Sequence, residues 1–201
     1  YKDAYGEYSN SFLRPLYFHS DVDVSREAFM KFFIEEKLLE RKNNLDLGIP
    51  ANPVVMIDFG AGEGWTFVKY AEEFGDAIDR GDLVLCCTDL HGKPTLECDE
   101  RTKCEGGILS KMNLEFRRKF YELVGKIHWI QGGLDELINA TVSLPDGSVL
   151  PLRGSTDLIH EDHALEWIRK KQNKEILRET IGSLSTLLKP DRSMLLISED
   201  Y

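Results

Sequence analysis

From Val54 onward, short apolar runs alternate with longer stretches in which apolar residues recur every three or four positions. The first pattern marks strands buried on both faces, and the second marks helices with one apolar side. It predicts strands at Val54–Asp58, Leu83–Thr88, Ile127–Ile130, Asp157–Ile159 and Met194–Ile197. Helices are predicted at Gly64–Phe74, from Asn113 as N-cap to Val124, at Asp135–Ala140, and from Leu165 to Leu188 in two pieces. Val142–Leu144 and Val149–Leu152 flank Pro145-Asp146-Gly147, a hairpin signal, and Lys189-Pro190-Asp191 stops the last helix. Upstream, Tyr1–Ser20 is aromatic and irregular. A helix then runs from about Ser25, its predicted N-cap, to Asn43, with Phe29, Phe32, Phe33, Leu38 and Leu39 near one face. Gly48-Ile49-Pro50-Ala51-Asn52-Pro53 breaks it.

Strands alternating with helices specify an α/β fold: a three-layer, Rossmann-like, mostly parallel sheet with right-handed crossovers. Residues 1–48 form an N-terminal helical segment, and residues 49–201 the domain that carries the sheet. Such sheets bind ligands at the carboxyl ends of their strands. That rule selects Asp58–Gly64, Asp89-Leu90, Gln131–Leu134 and His160–His163.

A length of 201 residues is enough for one α/β domain with its own core. The formal charge of −10 argues against a surface that tracks nucleic-acid phosphates. Arg117-Arg118-Lys119 and Arg169-Lys170-Lys171 lie on amphipathic segments, where a solvated helix face is the expected role. No apolar run reaches the length of a membrane span and no secretory signal is visible, so a cytoplasmic protein without membrane contact is expected. Four cysteines, two of them adjacent, suit a reducing compartment. Cys86, Cys87, His91, Cys98 and Cys104 fall close together, yet their spacing matches no common zinc motif. Cys86 and Cys87 would also point to opposite faces of a strand, so no metal is expected.

The most informative stretch is Asp58-Phe59-Gly60-Ala61-Gly62-Glu63-Gly64, entered by Val54-Val55-Met56-Ile57. A buried strand ends in an acidic residue, makes a glycine turn and opens a helix. Gly60 and Gly62 are expected to turn the chain sharply and leave room for a ligand against the main chain. The helix start offers unpaired N–H groups. A dinucleotide fingerprint would need glycine at position 65, where Trp65 stands. Asp89 closes the second strand, where a carboxylate can accept hydrogen bonds from both hydroxyls of a ribose.

The D-x-G-x-G-x-G stretch resembles the first motif of class I S-adenosylmethionine-dependent methyltransferases. Two further segments support the resemblance. His160-Glu161-Asp162-His163-Ala164-Leu165-Glu166-Trp167 is similar to the segment after the fourth strand of small-molecule methyltransferases of the trans-aconitate and juvenile-hormone-acid types. Leu187-Leu188-Lys189-Pro190-Asp191 resembles the turn before the family's fifth strand, with Asp191 in place of a glycine. The likeness spans residues 54 to 198. It implies S-adenosylmethionine as cofactor, held by Asp58, Gly60, Ala61, Gly62, Gly64, Asp89, Leu90, Gly133, Leu134 and His160. Asp58 would anchor the amino-acid end, and Gly133 and Leu134 would lie beside the adenine, with Asp135 as a substitute polar contact or an N-cap.

Methyl transfer to a small-molecule acceptor, by O- or N-methylation, follows as the expected activity. A protein methyltransferase and a catalytically silent binding domain are the alternatives. His160 and His163 are the candidate catalytic bases. Tyr5, Tyr8, Phe12 and Trp167 are candidate substrate contacts, the first three on an N-terminal lid. The family's sheet has seven strands and this chain stops after the fifth, so a truncated domain from a longer protein is expected. Oligomeric state is not legible.

Overall fold

The computed structural model describes residues 21–62, 64–90, 92–94, 113–162, 164, 165, 168, 174–191 and 193–198. The chain divides into two compact units, Tyr1–Ala51 and Asn52–Tyr201. Among the described residues, no helix is long and apolar enough to cross a membrane.

The first unit holds one long helix, α1 (Asp21–Asp46). It begins upstream of the predicted N-cap, so Ser25 lies inside it. Residues 21–25 contain neither glycine nor proline to interrupt the backbone ladder. Its end is a Schellman turn. Gly48 takes φ 72°, its N–H donates to the Leu45 carbonyl, and the Ile49 N–H donates to the Asn44 carbonyl.

The second unit is built on a five-stranded parallel sheet in the order β3-β2-β1-β6-β7. The strands are β1 (Val54–Phe59), β2 (Leu83–Asp89), β3 (His128–Gln131), β6 (Leu158–Asp162) and β7 (Met194–Ser198). β4 (Thr141–Ser143) and β5 (Val149–Pro151) form the separate antiparallel hairpin that Pro145-Asp146-Gly147 announced. This is the α/β, Rossmann-like layout read from the sequence. All six residues of central β1 are buried, as a strand covered on both faces requires.

Side-chain alternation sorts the two faces. On one, Val55, Ile57, Val84, Cys86 and Ile159 pack with Leu137, Val142, Leu152, Leu184 and Leu187. The last group comes from α5 (Leu134–Ile138), the hairpin and α6 (Lys174–Ser185) with the turn after it. The other face carries Met56, Asp58, Leu85 and Cys87, and two further helices belong to this unit, α2 (Trp65–Glu73) and α4 (Leu114–Val124). α3 (Gly75–Asp79) leads from α2 into β2. The Trp65 and Phe120 rings lock α2 to α4 at 4.3 Å between centroids. Asn113 caps α4 as predicted, its Oδ1 accepting from the Phe116 N–H at 2.8 Å. Each fully buried aliphatic or aromatic side chain here contributes about 1.5–3 kcal/mol.

Two further expectations differ from the structure of this unit. Asp135 is not an N-cap, because Gly133 holds that position and Asp135 lies in the first turn. The cause is Glu136, whose carboxylate reaches back to the Gly133 N–H at 2.8 Å and starts the helix earlier. The fourth parallel strand runs to Asp162 and does not end at Ile159, so His160 and Glu161 sit within the sheet. β6 is paired on both sides through these positions, Asp58 facing His160 in β1 and Leu196 facing it in β7.

A tie behind the sheet fixes where the strands begin. Asp157 Oδ2 accepts from the Val55 N–H at 2.9 Å and from Lys189 Nζ at 2.6 Å. Lys189 Nζ also reaches the Pro53 carbonyl at 3.4 Å. The lysine of the Leu-Leu-Lys-Pro turn therefore clamps the starts of β1 and β6.

Candidate functional site

The strand order places β2 and β3 on one side of β1 and β6 and β7 on the other. Connections leave β1 in one direction and return to β6 in the other, which opens a crevice at their carboxyl ends. The glycine loop lies at that edge. Gly60, Gly62 and Gly64 all have positive φ, at 74°, 57° and 77°.

The three glycines differ in what a side chain would meet. A Cβ on Gly60 would lie 2.6 Å from the Ala164 Cβ, so this glycine lets the loop pack on the segment after β6. A Cβ on Gly64 would lie 2.7 Å from Trp129 Cζ2 and 3.7 Å from Cys87 Sγ, so this glycine makes room for an indole. On Gly62, a Cβ would meet no described atom within 4 Å. Of the three, only Gly62 would carry a side chain that no described atom crowds, so a ligand could approach its main chain there.

The loop amides are not bare, in contrast to the expectation. Gly60 and Ala61 both donate to the Thr88 carbonyl, at 3.0 and 2.9 Å, and Gly64 donates to the Ala61 carbonyl at 2.8 Å. The Gly62 N–H donates to Asp89 Oδ2 at 3.1 Å. The turn is thereby stitched to the end of β2, and Asp89 is held over it. The main chain of Asp89 is equally fixed, its carbonyl accepting from Gly92 at 3.1 Å and from Gly132 at 3.0 Å.

Beneath the loop, Asp58 Oδ1 and His160 Nδ1 are 2.8 Å apart. Asp58 is 2% exposed and His160 1%, so the pair has given up contact with water. A buried carboxylate needs such a partner. Parallel register supplies it directly: Trp129, Cys87, Asp58 and His160 form one row across β3, β2, β1 and β6. Burial above all pushes the Cys87 thiol well above its ordinary range. The negative charges of Asp58 and Asp89 and the neighbouring Cys86 add to the effect. On the opposite face, buried Glu161 accepts from the Leu165 N–H at 2.6 Å and shapes the chain as it leaves β6.

Cys86 faces the core cluster and Cys87 the glycine loop, so the two thiols point to opposite faces of β2 as expected. Burial lifts Cys86 to about 12, which keeps it a thiol.

The structure thus brings Asp58, Gly60, Ala61, Gly62, Gly64, Asp89 and His160 together at one sheet edge. Leu90 is 71% exposed at the same edge. Gly133 and Leu134 follow β3, where Leu134 packs partly into the core and Gly133 is engaged by Glu136. That N–H, with the one of Glu136 itself, holds the Glu136 carboxyl below its usual range. Tyr5, Tyr8, Phe12, His163 and Trp167 lie outside the described residues, as do Cys98 and Cys104; of His91 nothing is described either. Trp129 and Thr88 were missed by sequence reasoning, because they act through cross-strand proximity that no local pattern encodes.

A cavity of about 380 Å³ lies at the opposite edge of the sheet, lined by Leu83, Ile127, Leu144, Pro145, Lys126 and His128 among others. Its cation is already engaged, since Lys126 Nζ contacts both Asp79 carboxylate oxygens at 2.9 and 2.7 Å. The carboxyl-edge crevice, with its buried pair and open glycine, is therefore the stronger candidate.

Compared with protein-family models, curated proteins and solved structures, the chain gives no match.

Proposed function

We propose that this chain binds S-adenosylmethionine in the crevice at the carboxyl ends of β1, β2 and β6, and supports methyl transfer to a small-molecule acceptor. The observation that carries the reading is the Gly62 turn, where a Cβ would meet no described atom and whose N–H is bonded to the carboxylate that ends β2. The residues fit the cofactor. Gly62 leaves the space that any side chain would fill, and Asp89 stands where ribose hydroxyls are bonded in α/β sheets of this layout. Asp58 and His160 form the floor, and Gly133 and Leu134 flank the third strand. The cofactor, when bound, supplies a methyl group already activated by a positive sulfur.

What remains for the protein is alignment and the exclusion of water. A floor of buried side chains under a fixed loop is suited to both. The two histidines differ in standing. A general base must reach the proton it removes. His160 is almost wholly buried and turned to Asp58, so we assign it to positioning, and we leave proton removal to His163 where the acceptor needs it. A carboxylate acceptor needs no base.

Titration calorimetry of the purified chain with S-adenosylmethionine, and with a nicotinamide dinucleotide as control, tests the binding step. Saturable binding of the first alone supports the reading; binding of the dinucleotide alone, or of neither, overturns it. Radiolabelled methyl transfer to panels of amines, acids, phenols and proteins then identifies the acceptor class.

A further inference from the structure

The cavity at the amino ends of β2 and β3 has no part in the crevice. It measures about 380 Å³ and is bounded by α3, the starts of the two strands and the hairpin. That volume falls within the range of small-molecule pockets. Two local features build its walls. Gly81 takes φ 76°, and a Cβ there would lie 2.9 Å from Pro145 Cδ, so this glycine lets the hairpin turn close against the entry to β2. Lys126 Nζ grips both Asp79 carboxylate oxygens and ties the turn before β3 to α3.

The lining decides what fits. Ile78, Leu83, Ile127, Leu144 and Pro145 supply apolar surface. Lys126 and Asp79 neutralise each other, so among the described lining residues neither an anion nor a cation meets a free counter-charge. His128 is the group left over. It pairs with Cys86 in register, which turns its imidazole to the face that carries the hairpin. Among the described residues its half-buried ring has no hydrogen-bond or ion-pair partner, and burial disfavours its charged form. A neutral imidazole offers one N–H donor and one bare nitrogen that accepts.

We propose that this cavity is a second ligand site, separate from the crevice, which takes a neutral ring compound bearing a hydroxyl, with that hydroxyl bonded to His128. The apolar walls receive the ring, and the imidazole gains the partner that the fold does not give it. The site uses none of the crevice residues, so it stands whether or not the function proposed above does.

The test titrates the whole chain, labelled with nitrogen-15 histidine, with phenol, toluene, benzoate and benzylamine at pH 7.5, read by NMR of the imidazole nitrogens. The signals lost in His128→Phe are those of His128. We expect phenol to shift them saturably and to bind about tenfold more tightly than toluene, the worth of one hydrogen bond made away from water. Benzoate and benzylamine should bind more weakly than phenol. His128→Phe should bring phenol and toluene to equal affinity by calorimetry. Ser143→Trp, which fills the cavity from an exposed position on β4, should abolish phenol binding while circular dichroism shows an intact fold. No saturable shift at His128, toluene or a charged probe as tight as phenol, or phenol affinity unchanged in Ser143→Trp overturns the site. S-adenosylmethionine titrated into the same variants reads the crevice separately.

Discussion

Asp58 Oδ1 and His160 Nδ1 meet at 2.8 Å across β1 and β6, and fewer than three per cent of either residue is exposed. Neither residue alone suits a buried position in the middle of a sheet. Together they satisfy each other and set the floor of the crevice.

Removing one partner should therefore be costly. We expect His160→Ala to destabilise the fold by about 3–5 kcal/mol, because a buried carboxylate loses its donor. The Asp58→Asn, His160→Asn double variant should be closer to wild type than the two single losses summed. Urea unfolding followed by circular dichroism checks both; strict additivity would contradict a coupled pair.

The glycines should separate stability from binding. Gly64→Ala forces a methyl group against Trp129 at a positive φ, and should cost about 3 kcal/mol of stability. Gly62→Ala carries only the backbone penalty of about 1–2 kcal/mol, yet it places a methyl group where the ligand would approach. We expect Gly62→Ala to fold and to lose most of its cofactor affinity, read by thermal melts alongside calorimetry.

Asp89→Ala should weaken cofactor binding by about 1–3 kcal/mol, the usual loss for a charge-assisted hydrogen bond. It also frees the Gly62 N–H, so hydrogen exchange at residues 60–62 should accelerate in the variant.

Both described thiols should be silent in the native protein. Cys86 is lifted to about 12 by burial and Cys87 is raised by burial and by nearby carboxylates. Thiolate is the reactive form. Iodoacetamide at pH 8 should leave the peptide bearing Cys86 and Cys87 unmodified until denaturant is added, as read by mass spectrometry.

His128 gives a pH signature. Burial lowers its pKa from the ordinary 6.5, so the folded state disfavours its protonated form. The unfolded chain then takes up the proton first as pH falls. The stability this residue confers is present above about pH 6.5 and declines below it. Replacing it with glutamine should flatten the decline in urea midpoint between pH 7.5 and 5.5.

Much of the fold was legible because the signals were local. The run Val54-Val55-Met56-Ile57 announces a strand covered on both faces, and Asn113 announces a helix start. Asp58, the glycines and Asp89 were likewise selected by their place at strand ends. The extent of β6 was not legible, since His160-Glu161-Asp162 reads as polar loop. Only the flanking ladders and the Asp58 partner make those positions tolerable inside a sheet. The loop amides were misjudged for the same reason, because their acceptor, the Thr88 carbonyl, belongs to a neighbouring strand. Ser25 failed as a cap because nothing upstream of it obliges a helix to start there.

The stitching of Gly60, Ala61 and Gly62 onto β2 has a consequence for affinity. A turn already fastened at three points has surrendered its conformational freedom during folding. A guest arriving there meets a finished mould and owes little ordering entropy, so more of its contact energy remains as net attraction.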